Sequence, residues 1–243
     1  MNPLILIPAR MAATRLPDKP LADIGGRPMI VRAWEQAVRS GLPVAVAAGD
    51  QSIVDAIHAA GGRAVLTDPD LPSGSDRIRA ALEAIDPGGL HDAVINLQGD
   101  MPFADPGLAR ACADLLAAEP ACDIATLIAP EADASDRANP DVVKAVVALA
   151  DDARHGRALY FTRSTLFGDA PVWRHIGLYG YRRAALEQFC AAPPSPLERR
   201  EKLEQLRALE MGLQIWAAVI DEAPLSVDNP DDLAAARAFL PQA

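Results

Sequence analysis

The amino-acid sequence predicts an α/β protein: a mostly parallel, doubly wound central sheet with helices on both faces and a mixed or antiparallel extension. In the first half of the chain, short and continuously apolar runs alternate with amphipathic segments, as in strands that are buried on both faces and linked by helices. In the second half, strand-like segments follow one another with few helical segments between them. The alternation indicates the parallel part of the sheet, and the strand-rich half indicates the extension.

The first half carries four predicted strands and four predicted helices. Glycines mark the ends of the first two helices, at Gly41 and at Gly61. Ser73 and Asp105 are the expected N-caps of the third and fourth helices. The predicted strands are 4–7, 44–48, 64–66 and 93–97, and the predicted helices are 29–40, 53–60, a segment that includes 78–85, and 106–118.

The second half adds four predicted strands and two helices with start signals. A capping box at 195–198 begins a helix that is expected to run to Gly212, with a weak Glu198–Lys202 ion pair one turn apart. Asn229 is the expected start of the last helix. The predicted strands are 123–129, 142–148, 157–162 and 174–181, and the last predicted helix is 231–239.

Length and composition narrow the classes of function. The 243 residues carry a formal net charge of −10, which argues against general nucleic-acid binding, since that needs a basic face. Cys112, Cys122 and Cys190 lack the number and spacing of a disulfide framework or a zinc site. The amino terminus lacks the basic region of a signal peptide, and no apolar stretch approaches the ~20 residues that span a bilayer. We therefore expect a soluble cytoplasmic protein with no nucleic-acid or membrane partner.

A cationic loop follows the first strand. That strand ends at Pro8, and the loop after it carries Arg10, Arg15 and Lys19 in a chain that is acidic overall. Arginine offers paired planar donors and lysine a mobile point charge, and both suit phosphate groups. The loop lies at the carboxyl end of a strand, where open α/β sheets bind ligands. We expect it to hold a small polyanion; the alternative is a solvated basic loop in which Asp23 pairs with one of the cations.

Two acidic segments, far apart in the sequence, are candidates for the same site. Asp100 ends Q-G-D directly after a buried strand, and Asp228 lies in S-V-D-N-P before the last helix. A carboxylate at the carboxyl end of a strand is well placed to hold Mg²⁺ against phosphate oxygens. The alternatives are a turn residue for Asp100 and a capping or first-turn acid for Asp228. A magnesium site therefore requires the fold to bring the two carboxylates together.

Two further segments carry weaker signals. Residues 73–77 precede a helix, and free backbone N–H groups there could read the edge of a base, with plain helix capping as the alternative. In the strand 174–181, alternation places His175, Gly177, Tyr179 and Tyr181 on one face, with a purely structural histidine as the alternative.

Taken together, these segments resemble one family. IPARMAATRLPDKPL, PSGSDR, INLQGD, LYFTRS, RHIGLYGYR, PPSPLERREKLEQLR and SVDNPDDL occur in this order, as in the 3-deoxy-manno-octulosonate (Kdo) cytidylyltransferases, or CMP-Kdo synthetases. The resemblance spans almost the whole chain, and PPSPLE with EKLEQLR is its most specific part. It implies a fold of the nucleotide-diphosphosugar-transferase type, a homodimer, and a Mg²⁺-dependent reaction of CTP with Kdo that gives CMP-Kdo and pyrophosphate for lipopolysaccharide synthesis. It also implies one domain, 1–243, with a nucleotide-binding half (1–120) and a sugar-binding and dimerisation half (121–243).

The resemblance implies a role for each matching residue. Asp100 and Asp228 would bind Mg²⁺, and Arg15 and Lys19 would neutralise charge on the leaving pyrophosphate, so these four are the expected catalytic residues. The expected nucleotide-binding residues are Pro8, Ala9, Arg10, Arg15, Lys19, Ser73, Gly74, Arg77 and Gln98. The expected sugar-binding residues are Gln98, Arg163, His175, Tyr179, Glu204 and Gln205, with Arg163 as the partner of the sugar carboxylate.

The sequence departs from the family pattern at four places. Asp18 replaces an expected glycine, and Met101 stands where many members have an acid. The segment 163–175 is short, and residues 223–226 replace a glycine-rich lead-in. None of these departures removes an expected ligand.

The sequence is also compatible with three alternative functions. One is CMP transfer to a related acidic sugar, either 8-amino-Kdo or a sialic acid. Another is a cytidylyltransferase for a polyol phosphate, against which the EKLEQLR segment argues. A third is a non-catalytic regulator that binds CTP without turnover.

Overall fold

The computed structural model describes residues 1–12, 16–131, 134–150, 153–166, 168 and 172–240. The chain divides into two compact units: unit 1 is Met1–Ala109 with Pro224–Ala243, and unit 2 is Arg110–Ala223. The strands are β1 (Pro3–Ala9), β2 (Val44–Ala48), β3 (Ala64–Leu66), β4 (Ala93–Asn96), β5 (Ile124–Pro130), β6 (Lys144–Ala148), β7 (His155–Thr162), β8 (Trp173–Arg182) and β9 (Ile215–Val219). The helices are α1 (Met29–Arg39), α2 (Gln51–Ala59), α3 (Gly74–Ile85), α4 (Pro106–Ala118), α5 (Ala134–Ala138), α6 (Arg183–Ala191), α7 (Pro196–Glu201), α8 (Gln205–Glu210) and α9 (Pro230–Ala238).

Unit 1 is built on parallel strands in the order β3-β2-β1-β4. The central strand β1 pairs on both sides, with Ile5 opposite Val44 of β2 and opposite Ile95 of β4. Ile5 and Ile95 are fully buried, as expected for strands covered on both faces. The parallel part of the predicted sheet is therefore confirmed, and its carboxyl ends lie at one edge.

Unit 2 contains strands of both directions in the order β8-β5-β9-β7-β6. β5 pairs parallel with β9 and antiparallel with β8, so the predicted mixed extension is confirmed. β6 pairs antiparallel with both β7 and β8, which closes the five strands into a ring. This closure goes beyond the extension that the sequence predicts, because it depends on pairings between distant strands.

The predicted helix from residue 196 to Gly212 is wrong, because the segment forms two short helices, α7 and α8. Lys202 takes up the left-handed conformation (φ 55°, ψ 44°) and ends α7. That conformation costs a non-glycine residue about 1–2 kcal/mol, so packing and ion pairs on either side must hold the break. Glu198 pairs with Arg207 of α8 at 2.9 Å and not, as predicted, with Lys202.

The predicted start signals are confirmed. Ser195 and Asn229 each form a capping box, and the Ser73 hydroxyl caps α3 by accepting from the Asp76 N–H. Several elements were not predicted: β9, α5, α6 and a short 3-10 helix over Lys19–Leu21. None of the described helices is long and apolar enough to cross a membrane.

Candidate active site

Lys19 joins the two acidic segments of unit 1. Its ammonium lies 2.8 Å from Asp100 Oδ2 and 3.0 Å from Asp228 Oδ1. The two carboxylate oxygens are therefore at most 5.8 Å apart, the sum of these two distances. The predicted convergence of Asp100 and Asp228 is confirmed, and Lys19 lies between them.

The apolar core of unit 1 brings Asp228 to this position. Val227 is fully buried in a cluster with Ile24, Met29 and Leu233, which fastens the segment before α9 onto the region that follows β1. The Val227 N–H also donates to the Asp100 carbonyl at 2.9 Å. A residue buried beside Asp228 thus fixes the backbone of both acidic segments.

Gly99 allows the Q-G-D turn to lie directly against the end of β1. A Cβ atom at this position would come within 2.9 Å of Ile30 Cδ1 and 3.2 Å of the Pro8 carbonyl oxygen. A larger residue would have to displace the end of the Ile30 side chain and shift the backbone by a few tenths of an ångström, so glycine gives the closest approach. The side chain of Asp100 is thereby held at the carboxyl edge of the parallel strands.

Burial and charge act in opposite directions on these groups. Burial raises the pKa of Asp100, and the neighbouring Lys19 ammonium opposes that rise. Burial alone would lower the pKa of Lys19, but Asp100 and Asp228 outweigh it and raise that pKa above its ordinary value. Lys19 therefore stays charged at neutral pH.

A cavity of about 250 Å³ opens beside this cluster in unit 1. Every described residue of the expected nucleotide-binding set lines it, while Arg15 lies outside the described residues. Leu71, Met29 and Gly99 also line the cavity and were not predicted as binding residues. Of these three, Gly99 could have been predicted, because it lies within the Q-G-D segment that was already a candidate. The lining residues are Pro8, Ala9, Arg10, Ala12, Lys19, Pro20, Met29, Leu71, Ser73, Gly74, Arg77, Gln98, Gly99 and Asp100.

Arg77 has a structural task in addition to its place in this cavity. Its guanidinium is buried and donates to Thr67 Oγ1 at 2.7 Å, to the Asp68 carbonyl at 2.9 Å and to the Pro69 carbonyl at 3.1 Å. Burial lowers the pKa of Arg77, and the nearby charge of Arg10 lowers it further. Two cations that line one cavity favour an anionic ligand there.

The donor set at the acidic pair fits a magnesium ion. Mg²⁺ prefers oxygen ligands and is commonly bound by one or two carboxylates together with substrate phosphates and waters. Asp100 and Asp228 supply two carboxylates, and the described residues contain no cluster of three or more His, Cys, Asp or Glu side chains that could hold a metal alone. A metal at this pair would take its remaining oxygen ligands from water or from a bound substrate.

Unit 2 has a second cavity of about 250 Å³. Three of the expected sugar-binding residues, His175, Tyr179 and Gln205, line it together. Gln98 belongs to unit 1, where it lines the first cavity. The lining residues of the second cavity are Asp141, Val142, Val143, Arg174, His175, Gly177, Tyr179, Leu203 and Gln205.

Two expected sugar-binding residues are outside that lining and are bonded within the protein. Arg163 donates to the Pro140 carbonyl at 2.9 Å. Glu204 accepts from Arg207 at 3.0 Å, and Arg207 in turn holds Glu198. Arg207 was missed because its i,i+3 spacing from Glu204 looks like an ordinary surface pair, although only 7% of its side chain is exposed.

The aromatic side of the second cavity is uncharged. Burial lowers the pKa of His175 to about 3, so its imidazole is neutral at pH 7. Burial raises the pKa of Tyr179, and the negative charge of Glu204 raises it further. The charge at this cavity comes instead from Arg174 and Asp141, neither of which was assigned a role; Arg174 lies directly before His175, and that adjacency was the available signal.

Comparison with known proteins identifies the family of the chain. The family model described as "Cytidylyltransferase" matches residues 4–215. A protein of Rhodospirillum centenum named 3-deoxy-manno-octulosonate cytidylyltransferase is 58% identical over 241 residues, covering 98% of this chain and 93% of that protein. A protein of the same name from Rhodospirillum rubrum is 55% identical over 240 residues, covering 98% of this chain and 95% of that protein.

A solved structure shares the fold. The structure of CMP:2-keto-3-deoxy-manno-octonic acid synthetase complexed with CTP superposes with a TM-score of 0.89 at 35% sequence identity, covering 98% of each chain. The chain has a mixed α/β fold with a large sheet and helices that matches that synthetase. By sequence and by structure, the chain belongs to the 3-deoxy-manno-octulosonate cytidylyltransferase family.

Proposed function

We propose that the chain transfers CMP from CTP to Kdo, giving CMP-Kdo and pyrophosphate. The observation that carries the proposal is the meeting of Lys19 with Asp100 and Asp228 beside a cavity lined by Arg10 and Arg77. A cavity with cations along its wall and a carboxylate pair at its edge suits a polyphosphate with a divalent ion. The names of the relatives at 55–58% identity support CTP and Kdo as the substrates.

In this proposal the protein contributes binding, orientation and charge. Arg10 and Lys19, with Arg15, neutralise the phosphates and the leaving pyrophosphate. Ser73 and Gly74 lie at the start of α3, where backbone N–H groups that the helix leaves unbonded would face the base and ribose. The anomeric hydroxyl of the sugar attacks the α-phosphorus in line, its proton passes to solvent water, and the P–O bond between the α-phosphorus and pyrophosphate breaks. No side chain is proposed as a general base.

The metal is proposed to be Mg²⁺, held by Asp100 and Asp228. When bound, it supplies Lewis-acid stabilisation of the phosphate charge and lowers the pKa of a coordinated hydroxyl. The Lys19 ammonium is bonded to both carboxylates, so it would share them with a bound ion or release them.

The sugar is proposed to bind at the second cavity, with His175, Tyr179 and Gln205 in contact and Arg163 at its carboxylate. Arg163 and Glu204 are engaged with Pro140 and Arg207, so each must exchange that bond to reach a ligand. This is the step at which sugar binding would reorganise unit 2.

The family resemblance supports further proposals about architecture and assembly. We propose a single functional domain over 1–243 with a nucleotide half and a sugar half, built on a doubly wound sheet of the nucleotide-diphosphosugar-transferase type. We also propose a homodimer, a cytoplasmic location and a role in lipopolysaccharide synthesis. The homodimer is tested by sedimentation equilibrium of the purified protein.

The function is tested by pyrophosphate release from CTP, UTP, ATP and GTP, each with Kdo and with a sialic acid, in the presence and absence of Mg²⁺. We expect turnover with CTP and Kdo that EDTA abolishes. Turnover with a sialic acid and not with Kdo would reassign the sugar, and CTP binding without turnover would make the chain a regulator.

A further inference from the structure

A buried hydroxyl on β5 contacts three groups of β8 at once. Thr126 is fully buried, and its Oγ1 lies 3.0 Å from His175 Nε2, 3.1 Å from the Ile176 carbonyl oxygen and 3.0 Å from the Leu178 carbonyl oxygen. The arrangement arises at an irregularity in the pairing of the two strands, where Thr126 faces Tyr179 and the next residue of β5 faces Ile176. The extra length of β8 turns both carbonyls toward the same hydroxyl.

The number of available protons determines which of these groups donates to Thr126 Oγ1 and which accept from it. The hydroxyl has one proton, and both carbonyl oxygens can only accept. If that proton went to His175 Nε2, both carbonyl oxygens would face the lone pairs of Oγ1 at 3.0–3.1 Å with no proton between them. If it points to the carbonyls, it serves one of them or is shared between both, and the Nε2–H of His175 donates to Oγ1, so that at most one contact lacks a proton. The second arrangement is therefore the stable one.

The charge of the ring agrees with this arrangement. The His175 ring packs against Phe161, with centroids 4.7 Å apart, and against Tyr179 at 5.5 Å. Burial keeps it neutral at pH 7, with a pKa of about 3. A neutral imidazole with its proton on Nε2 has an unprotonated Nδ1. Among the described residues, none makes a hydrogen bond to that Nδ1, and His175 lines the second cavity.

We propose that Thr126 is a positioning residue that holds His175 in the Nε2–H tautomer, so that Nδ1 accepts a hydrogen bond from a hydroxyl group of the bound sugar. The identity of the sugar rests on the proposed function; the tautomer does not. The consequence is a specificity rule: His175 recognises a hydroxyl donor and disfavours a carboxylate oxygen at the same place, because two lone pairs would face each other.

The tautomer is tested directly by long-range ¹H–¹⁵N correlation NMR of the full-length protein labelled at its four histidines, with His175→Gln to assign the signal. We expect the Nε2–H pattern for His175 at pH 7, and a shift of its Nδ1 resonance when Kdo is added. An Nδ1–H pattern in the wild-type protein would overturn the proposal, and so would an Nδ1 resonance that saturating Kdo leaves unmoved in a protein that turns Kdo over.

Two variants separate positioning from general packing. Thr126→Val removes the acceptor of the Nε2–H; we expect a mixture of tautomers and a KM for Kdo raised about tenfold, the size of one lost hydrogen bond, with the KM for CTP unchanged. Thr126→Ser keeps the hydroxyl, so we expect the Nε2–H tautomer and a KM for Kdo close to those of the wild type. An unchanged tautomer in Thr126→Val would contradict the proposal.

The outcomes also distinguish this inference from the proposed function. A protein that shows the Nε2–H pattern but binds and turns over a different hydroxylated sugar would overturn the substrate and keep the role of Thr126. If Thr126→Val does not fold, the spectrum of the wild-type protein with and without Kdo still shows which tautomer His175 adopts and whether its Nδ1 contacts the sugar.

Discussion

The two units place their functional residues in different ways. In unit 1, Lys19, Asp100 and Asp228 come from three separate segments and meet at one point, and the expected nucleotide-binding residues that are described share one cavity. In unit 2, only part of the expected sugar-binding set shares a cavity, and Arg163 and Glu204 are bonded to other parts of the protein. In unit 1 the ends of parallel strands place Asp100 and the loop with Lys19 at one edge, and the buried Val227 adds Asp228, whereas the second cavity depends on individual side-chain pairs. Substitutions in the unit 1 cluster should therefore lower the activity of the protein, and substitutions in the side-chain pairs of unit 2 should lower its stability or its affinity for the sugar.

The largest expected effect is on the stability of unit 2. Arg207 is buried, bonds Glu198 through two nitrogens and Glu204 through one, and lies over the Phe189 ring at 4.4 Å. Arg207→Met removes a buried guanidinium that is bonded to both carboxylates and packs on Phe189, so we expect a loss of about 3–5 kcal/mol in the free energy of unfolding. Urea denaturation measures it. Arg207→Lys keeps the charge and should lose less; equal losses in both variants would show that the ion pairs contribute little.

The next effect tests the unit 1 cluster through activity. Asp100→Asn removes one carboxylate of the proposed metal site but keeps the shape of the side chain, so we expect kcat to fall about 10²–10³-fold with little change in melting temperature. Pyrophosphate release with CTP and Kdo measures it. The exposed Asp70 is the matched control, and Asp70→Asn should behave as wild type. A kcat near wild type in Asp100→Asn would remove this residue from the chemistry.

A smaller effect is expected from the pH dependence of stability. His175 binds its proton near pH 6.5 when unfolded, but only near pH 3 when folded, because burial lowers its folded pKa. Between these values the unfolded state binds more protons, so stability is present above pH 6.5 and is lost as the pH falls, at up to about 1.4 kcal/mol per unit. His175→Gln lacks this contribution. Denaturation of both proteins from pH 7 to pH 4 should show the wild type losing more; parallel curves would contradict the burial of the ring.

The smallest effect concerns Asp18, which stands where the family pattern has glycine. Asp18 adopts the left-handed conformation (φ 54°, ψ 24°), which favours glycine, directly before the 3-10 helix that carries Lys19. Asp18→Gly should raise the free energy of unfolding by less than about 1 kcal/mol and lower the KM for CTP, because a negative charge beside the phosphates is removed. Asp18→Asn keeps the backbone preference and removes only the charge. A KM for CTP that rises in both variants would contradict the placement of this loop at the phosphates.

The sequence was most informative where function follows from the position of a residue along a strand. Asp100 at the end of β4 and the cations after β1 could be predicted to meet, because parallel strands end at one edge. The break at Lys202 could not be predicted, since no glycine or proline marks it and left-handed lysine is rare. The ring closure through β6 could not be predicted either, because it depends on pairing with β8, which follows only after β7.

The central claim is that Asp100 and Asp228 act as one site, and a double-mutant cycle tests it most directly. The kcat for CTP and Kdo is measured in wild type, Asp100→Asn, Asp228→Asn and the double variant. If both carboxylates serve one ion, either single change removes most of the effect, and the double variant should be little worse than the poorer single variant. Losses that multiply in the double variant would show two independent roles and contradict the shared site.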